Sequence, residues 1–215
     1  PAGSRGYAKY SGLDAHYSFS FAGHYDPARM GFGALRVLND DVIAPGQGFG
    51  RHPHNNMEII TIPLAGALAH KDDMGNATII KTGEIQVMSA GTGVEHSEFN
   101  ASQTESANTL QIWIVPDERS VSPRYDQKLF DHSIFENTFA LVAGPRGSEK
   151  EGALFIYQDA FLSLAHCDAD QTIEYVLRKE SNGVYFFIIE GAAEIADQRL
   201  GKRDALGMWD TAAVS

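Results

Sequence analysis

The segment Gly50-Arg51-His52-Pro53-His54-Asn55-Asn56-Met57-Glu58 carries two imidazoles separated by one residue. Side chains of an extended strand alternate between its faces. This predicts His52, His54, Asn56 and Glu58 on one side, with successive Cα atoms there about 6.6–7 Å apart. Two imidazoles at that spacing can converge on one metal ion, each coming within about 2.0–2.1 Å of it. Pro53 faces the other way and holds His52 extended. It also lacks an N–H for a ladder, which puts the start of the strand at a sheet edge or barrel mouth. An isolated His-x-His is more often a pair of surface histidines, but this one has a counterpart. Gly91-Thr92-Gly93-Val94-Glu95-His96-Ser97-Glu98 is a glycine-rich turn followed by an imidazole and a carboxylate at the same spacing. If the two segments are neighbours in a barrel, His52, His54, His96 and Glu98 form a cage of three nitrogens and one oxygen, with no thiolate nearby. Such a set with open positions suits iron(II), and it also accommodates manganese, nickel, copper or zinc.

The elements that must position these groups read as strands. Helical periodicity is scarce, whereas short β-branched or aromatic runs bounded by Gly, Asn, Asp and Pro recur throughout. In the first half the candidates are 33–39, 54–63, 67–70, 78–81, 85–89 and 109–115. In the second half they are 139–143, 154–159, 161–166, 183–190 and 193–196. Turn-forming pieces such as Asp73-Met74-Gly75-Asn76 and Lys81-Thr82-Gly83-Glu84 separate them. Many short strands at close spacing predict an all-β sandwich or barrel. The polar, irregular stretch from Pro116 to Asn137 suggests a boundary, giving domains 1–130 and 131–215. A strand, a Gly-Ala turn and a second strand occur in both halves, around Gly66 and around Gly191, which hints at a duplicated β unit.

Composition narrows the function. The 215 residues include 28 acidic and 17 basic side chains, a formal charge of −11. A phosphate-backbone binder needs a concentrated basic face, so direct nucleic-acid binding is not expected. The single cysteine, Cys167, excludes an intrachain disulfide framework and any multi-thiolate metal site. No apolar run approaches the roughly 18 residues of a membrane span, and Pro1–Arg5 carries no signal-peptide core. A soluble, cytoplasmic protein is expected.

The motifs resemble those of a known superfamily. Gly46-x5-His52-x-His54-x3-Glu58 is similar to the first cupin motif, with the closing Gly66 one residue late. Gly83-x5-Ser89-x-Gly91 followed by His96-x3-Asn100 is similar to the second, with serine for the usual proline and two extra residues. More specifically, the chain resembles the pirins. The resemblance is carried by residues 25–33, 50–59, 70–76, 89–100 and 110–113, and more loosely by 200–209. It implies two tandem cupin barrels with one mononuclear iron in the first and no metal in the second. It also implies His52, His54, His96 and Glu98 as ligands, with Glu58 standing behind them rather than binding. The activity it implies is flavonol 2,3-dioxygenation, with quercetin as the usual substrate. Oxygen opens the flavonol ring with release of carbon monoxide, and the metal stabilises the deprotonated 3-hydroxyl. The base that takes that proton is expected to be Glu98, with Glu58 as the alternative. Some pirins instead act as redox-sensing regulators that bind a protein partner, and the acidic charge suits a basic partner. A monomer is expected. Pirins continue for another strand or two beyond the equivalent of Trp209, so the resemblance also implies a shortened C-terminus.

Other candidates read as structural. His70 lies at the end of a strand without a spaced partner, which suggests a supporting role. Cys167 is expected to be a small buried hydrophobe. Met57, Met74, Met88, Phe32, Phe49 and Phe99 are candidates for an apolar pocket or for core, and Gly46, Gly48 and Gly50 read as a barrel-edge loop.

Overall fold

The run Thr109-Leu110-Gln111-Ile112-Trp113-Ile114 alternates large apolar residues with polar or amphipathic ones, the pattern of a strand whose two faces meet different surroundings. The computed structural model, which describes residues 1–215, shows what those surroundings are. The first half contains eleven strands: β1 (Gly6–Tyr10), β2 (Leu13–Tyr17), β3 (Leu35–Ile43), β4 (Gly48–His54), β5 (Glu58–Ala65), β6 (Ala67–Asp72), β7 (Ala77–Lys81), β8 (Glu84–Ser89), β9 (Val94–Asn100), β10 (Ala107–Ile114) and β11 (Arg124–Leu129). Seven of them form one sheet in the order β1-β2-β3-β10-β5-β8-β11, and four form a second in the order β4-β9-β6-β7. Every pairing in these sheets is antiparallel.

The apolar face of the larger sheet points away from its own barrel. Leu38, Ile60, Ile62, Ile85, Val87, Leu110, Ile112 and Ile114 are all buried in one cluster with Phe135, Val142, Leu154 and Ile156 of the second half. Each such side chain, fully buried, contributes about 1.5–3 kcal/mol relative to exposure. The main hydrophobic core therefore lies between the two halves. The inward face of the same sheet is buried and mixed, with polar Asn39, Asp41, Thr61, Gln86, Thr109 and Gln111 beside apolar Ile43, Ile59 and Met88. An ion pair also ties the halves together. Arg203 donates through Nε to Asp40 Oδ2 at 2.9 Å and through Nη2 to Asn108 Oδ1 at 3.0 Å, and Arg5 reaches the same aspartate at 3.2 Å.

The second half is built from shorter pieces: β12 (Ala140–Gly144), β13 (Leu154–Phe155), β14 (Leu162–Leu164), β15 (Tyr175–Val176), β16 (Val184–Phe187), β17 (Ala192–Ile195), β18 (Gln198–Gly201), β19 (Ala205–Met208) and β20 (Ala213–Val214). They pair as β13-β12-β14, which packs into the main core, and as β15-β20, β16-β19 and β17-β18, which contribute a small core of Val184, Ile195, Leu200 and Val214. The architecture is all-β, two tandem cupin barrels.

Three sequence expectations change. The strand expected over 54–63 is two strands, because Asn56 takes a left-handed conformation (φ 45°) and its N–H bonds to the Gly91 carbonyl. The strand expected to end at Asn39 runs on through Asp40 and Asp41 to Ile43. The polar stretch 124–129, read as irregular, is β11 and pairs along its whole length with β8.

Candidate functional site

The two histidine-bearing segments are adjacent strands, and a bulge puts their candidate ligands on one face. β4 and β9 pair Phe49 with Glu98 but His52 with His96, so β4 holds one extra residue between those pairs. A one-residue shift of register exchanges the faces of a strand. Here it brings His52 and His54 to the same side as His96 and Glu98. Gly48 permits the close approach of the strands, since a Cβ there would fall 2.2 Å from the Glu98 carbonyl oxygen.

Three imidazoles converge. The ring centres lie 4.8 Å apart for His52 and His54, 4.5 Å for His52 and His96, and 4.9 Å for His54 and His96. One donor nitrogen from each lies within 4.8 Å of the others. His52 Nδ1 sits 2.7 Å from the Gly50 carbonyl, which can only accept. Nδ1 therefore carries the proton, and Nε2 keeps the free lone pair. His54 packs edge-on against Trp113, with centres 4.8 Å apart.

Burial pushes the His96 imidazole down to about 2, with His52, His54 and His70 adding to the effect. Burial, then His52, pushes His54 down to about 4. Both rings are thus neutral at physiological pH, with their lone pairs available. His96 is 2% exposed, yet neither ring nitrogen has a hydrogen-bond partner. Leaving a buried polar group unpaired costs about 1–3 kcal/mol. Imidazole nitrogens converging on one point, with the buried His96 ring left unpartnered, are the donor set of a divalent transition metal, so these residues fit such an ion.

Glu98 is buried beside them and joins a second group of donors within 4.8 Å, formed with His70 and His96. The four expected ligands are thus split between two triads that share His96. Thr61 Oγ1 donates to Glu98 Oε1 at 3.1 Å, and Gln111 Nε2 donates to Oε2 at 2.8 Å. Burial raises the Glu98 carboxyl above its usual range, partly offset by His70 and these two donors. His70 stands opposite Glu98 across β6 and β9. Its Nε2 lies 3.2 Å from Asp72 Oδ2, and the N–H groups of Met74 and Asn76 hold that carboxylate in place. The proton therefore sits on Nε2, leaving Nδ1 buried without a partner.

Glu58 lies elsewhere. It starts β5 on the face shared with Ile60 and Ile62, accepts from Ser89 Oγ at 2.7 Å, and faces the second barrel. The turn at Asn56 resets the alternation on which the single-face expectation relied. Cys167 is exposed rather than buried. Phe49 lines the cavity over the imidazoles, Phe32 stacks on Trp209 outside it, and Phe99 is exposed. Gly48 and Gly50 belong to β4 rather than to a loop.

The imidazoles line a cavity of about 190 Å³ that also meets Tyr17, Phe21, Asn39, Asp41 and Gln111. Asp41 is 2% exposed. Burial, with the nearby Asp40 and Glu98 carboxylates, pushes its carboxyl up to about 8, so it stays protonated at neutral pH. The sequence reading missed Asn39, Asp41, Thr61 and Gln111 and gave His70 only a supporting role. Their signal is polar residues at i, i+2 inside otherwise apolar strands, as in Val37-Leu38-Asn39-Asp40-Asp41-Val42-Ile43.

Residues 3–114 match the pirin family model, and residues 141–215 match that of the quercetinase C-terminal cupin domain. A quercetin 2,3-dioxygenase of Escherichia coli is 42% identical over 214 residues, covering 100% of this chain and 90% of that protein. A pirin-like protein of Caulobacter vibrioides is 39% identical over 215 residues, covering 100% of this chain and 91% of its own. The crystal structure of the bacterial pirin YhhW from Escherichia coli in complex with nickel(II) superposes with a TM-score of 0.92 at 41% identity, covering 99% of this chain and 90% of that one. Sequence match, fold and full-length relatives agree: the chain belongs to the pirin family.

Proposed function

We propose that this protein is a mononuclear metal-dependent flavonol 2,3-dioxygenase of the quercetinase type. The observation that carries the reading is the convergence of three imidazoles, the buried His96 ring without a hydrogen-bond partner, and a buried carboxylate on the wall of one cavity. The full-length relative named quercetin 2,3-dioxygenase supports it. His52, His54, His96 and Glu98 would hold the ion, with Fe(II) as the resident metal. When bound, the metal supplies Lewis-acid stabilisation of the deprotonated flavonol hydroxyl and an electronic route to dioxygen.

The chain's own residues do the rest. Gly50 fixes the His52 tautomer so that Nε2 faces inward. Thr61 and Gln111 orient Glu98, which accepts the proton of the reacting hydroxyl. Phe21, Phe49 and Trp113 give the cavity apolar surfaces against which a flat ring system packs. On this reading residues 1–130 form the metal-binding barrel and 131–215 a metal-free one. The enzyme works as a cytoplasmic monomer on a small aromatic substrate without binding nucleic acid; the exposed thiol of Cys167 suits a reducing compartment.

Anaerobic reconstitution with Fe(II), removal of free metal, and measurement of oxygen uptake and carbon monoxide release with quercetin test the proposal. Turnover is expected in the loaded protein and is lost on chelation. In His52→Ala and Glu98→Ala it falls together with metal content. Full metal occupancy with no oxygen consumption across a flavonol panel would overturn it and favour a regulatory, partner-binding role.

A further inference from the structure

The cavity has a second polar wall that metal binding does not use. β3 belongs to the seven-stranded sheet, whereas the three imidazoles stand on the four-stranded sheet across the barrel. Asn39 and Asp41 are two residues apart on β3, 3% and 2% exposed, and both line the cavity. Asn39 Oδ1 and Asp41 Oδ1 have no hydrogen-bond partner. Their neighbours do not supply one. Gln111, opposite Asn39 on β10, gives its amide N–H to Glu98, and Asn108 gives its own to Asp40 and to the Asp41 backbone carbonyl. The residues opposite Asp41 are Ala15 on β2, which has no polar side chain, and Thr109 on β10, whose hydroxyl donates to backbone carbonyls. Two buried polar oxygens thus line a cavity whose residues leave them unpaired, and buried polar groups are normally satisfied by a partner.

We propose that Asn39 and Asp41 form a hydrogen-bonding subsite for a phenolic hydroxyl of the substrate, on the wall facing the imidazoles. This rests on the flavonol reading and deepens it. It makes the enzyme selective for polyhydroxylated rings over a flavonol that carries only the reacting 3-hydroxyl. The carboxyl of Asp41 and the amide of Asn39 act through substrate orientation and take no part in the ring opening itself. A site whose buried polar groups remain unpaired when the hydroxyl is missing rejects the poorer ligand by more than the lost contact alone.

The test compares quercetin with 3-hydroxyflavone in the metal-loaded protein. Anaerobic binding is read by quenching of tryptophan fluorescence, since Trp113 lines the cavity, and aerobic turnover is read as KM and kcat. Wild type is expected to favour quercetin by about 10- to 100-fold, the range of one or two buried hydrogen bonds. Asp41→Ala reduces that ratio about tenfold or more, chiefly in Kd and KM, while metal content stays at the wild-type level. Asn39→Ala reduces it less, and Asp41→Asn, which keeps an acceptor oxygen of the same reach, retains part of it. The subsite is overturned, with the flavonol reading intact, if both flavonols react but wild type does not discriminate or Asp41→Ala keeps the wild-type ratio. If neither flavonol quenches fluorescence or consumes oxygen, the flavonol reading falls and the subsite with it.

Discussion

Gln111 and Ile112 are neighbours on β10 and face opposite ways. Gln111 points into the first barrel and donates to Glu98, while Ile112 points out into the apolar cluster shared with the second barrel. The same division runs along β5, where Thr61 bonds Glu98 and Ile60 and Ile62 pack outward. It also runs along β3, where Asp41 faces the cavity and Asp40 meets Arg203. The inside of this barrel holds the polar site beside a smaller apolar cluster, and its outside is the main hydrophobic core. Stability and function are thus written on alternate residues of the same strands, and substitutions one position apart should separate them.

The largest separation is expected on β10. Ile112→Ala should lower unfolding stability by about 2–5 kcal/mol, the usual cost of truncating a buried aliphatic side chain, with metal affinity within about twofold of wild type. Gln111→Leu should weaken metal binding about 10- to 100-fold by removing the donor that orients Glu98, at a stability cost of about 1–2 kcal/mol. Denaturant unfolding of the metal-free protein and calorimetric metal titration distinguish the two. If both variants lose metal and stability in equal proportion, the two faces are not independent.

The alternation of the strands and the paired candidate ligands were legible in the sequence, whereas the inner wall was not. His52-x-His54 and His96-x-Glu98 stood out because paired metal-binding side types at i, i+2 have few other uses. Alternation alone could not show which side of β10 was the interior, because the apolar face of this barrel packs against a second one. The bulge that aligns His52 with His96 left no sequence signature beyond Gly48 and Gly50. Asp40 and Asp41 fell outside the expected strand, since two adjacent acids inside a strand make sense only when one meets Arg203 and the other a cavity. The second barrel was harder to delimit because strands such as β13, β15 and β20 are two residues long, too short for periodicity to register.

A smaller effect should come from the polar tie between the barrels. Arg203→Met removes one of two guanidinium partners of Asp40, whose ion-pairing side chains are only 9–11% exposed. Orphaning a buried charge costs about 3–5 kcal/mol; with Arg5 still in place, about 1–3 kcal/mol is expected. The pH dependence has a definite sign. Burial raises the Asp40 carboxyl, but Asn108, Arg203 and Arg5 outweigh it and hold the group below its ordinary value. Its contribution is therefore present above the unfolded pKa, about 3.9, and is lost as pH falls through the folded value. The stability gap between wild type and Arg203→Met should close on acidification below about pH 4. A gap independent of pH would assign the effect to packing of the arginine stem.

Glu58 gives the smallest expected effect and separates the two faces most cleanly, because the sequence grouped it with the ligands and the structure puts it on the opposite side. Its carboxyl is raised by burial, partly offset by the Ser89 hydroxyl, the Tyr157 N–H and Arg124. Glu58→Gln keeps the shape and an acceptor for Ser89, so metal affinity and flavonol turnover should stay within about twofold of wild type. Stability near pH 4 should change by about 1 kcal/mol or less. A carboxyl with a raised folded pKa keeps its proton in the native state at pH values where the unfolded chain has lost it. Wild type must therefore lose stability relative to Glu58→Gln as pH rises from about 4.3 through the folded value, and the difference levels off above it. Urea midpoints of both proteins across that range read the trend directly. A drop in metal affinity in Glu58→Gln would instead place this side chain in communication with the imidazoles through β5, and the division between the faces would fail at this strand.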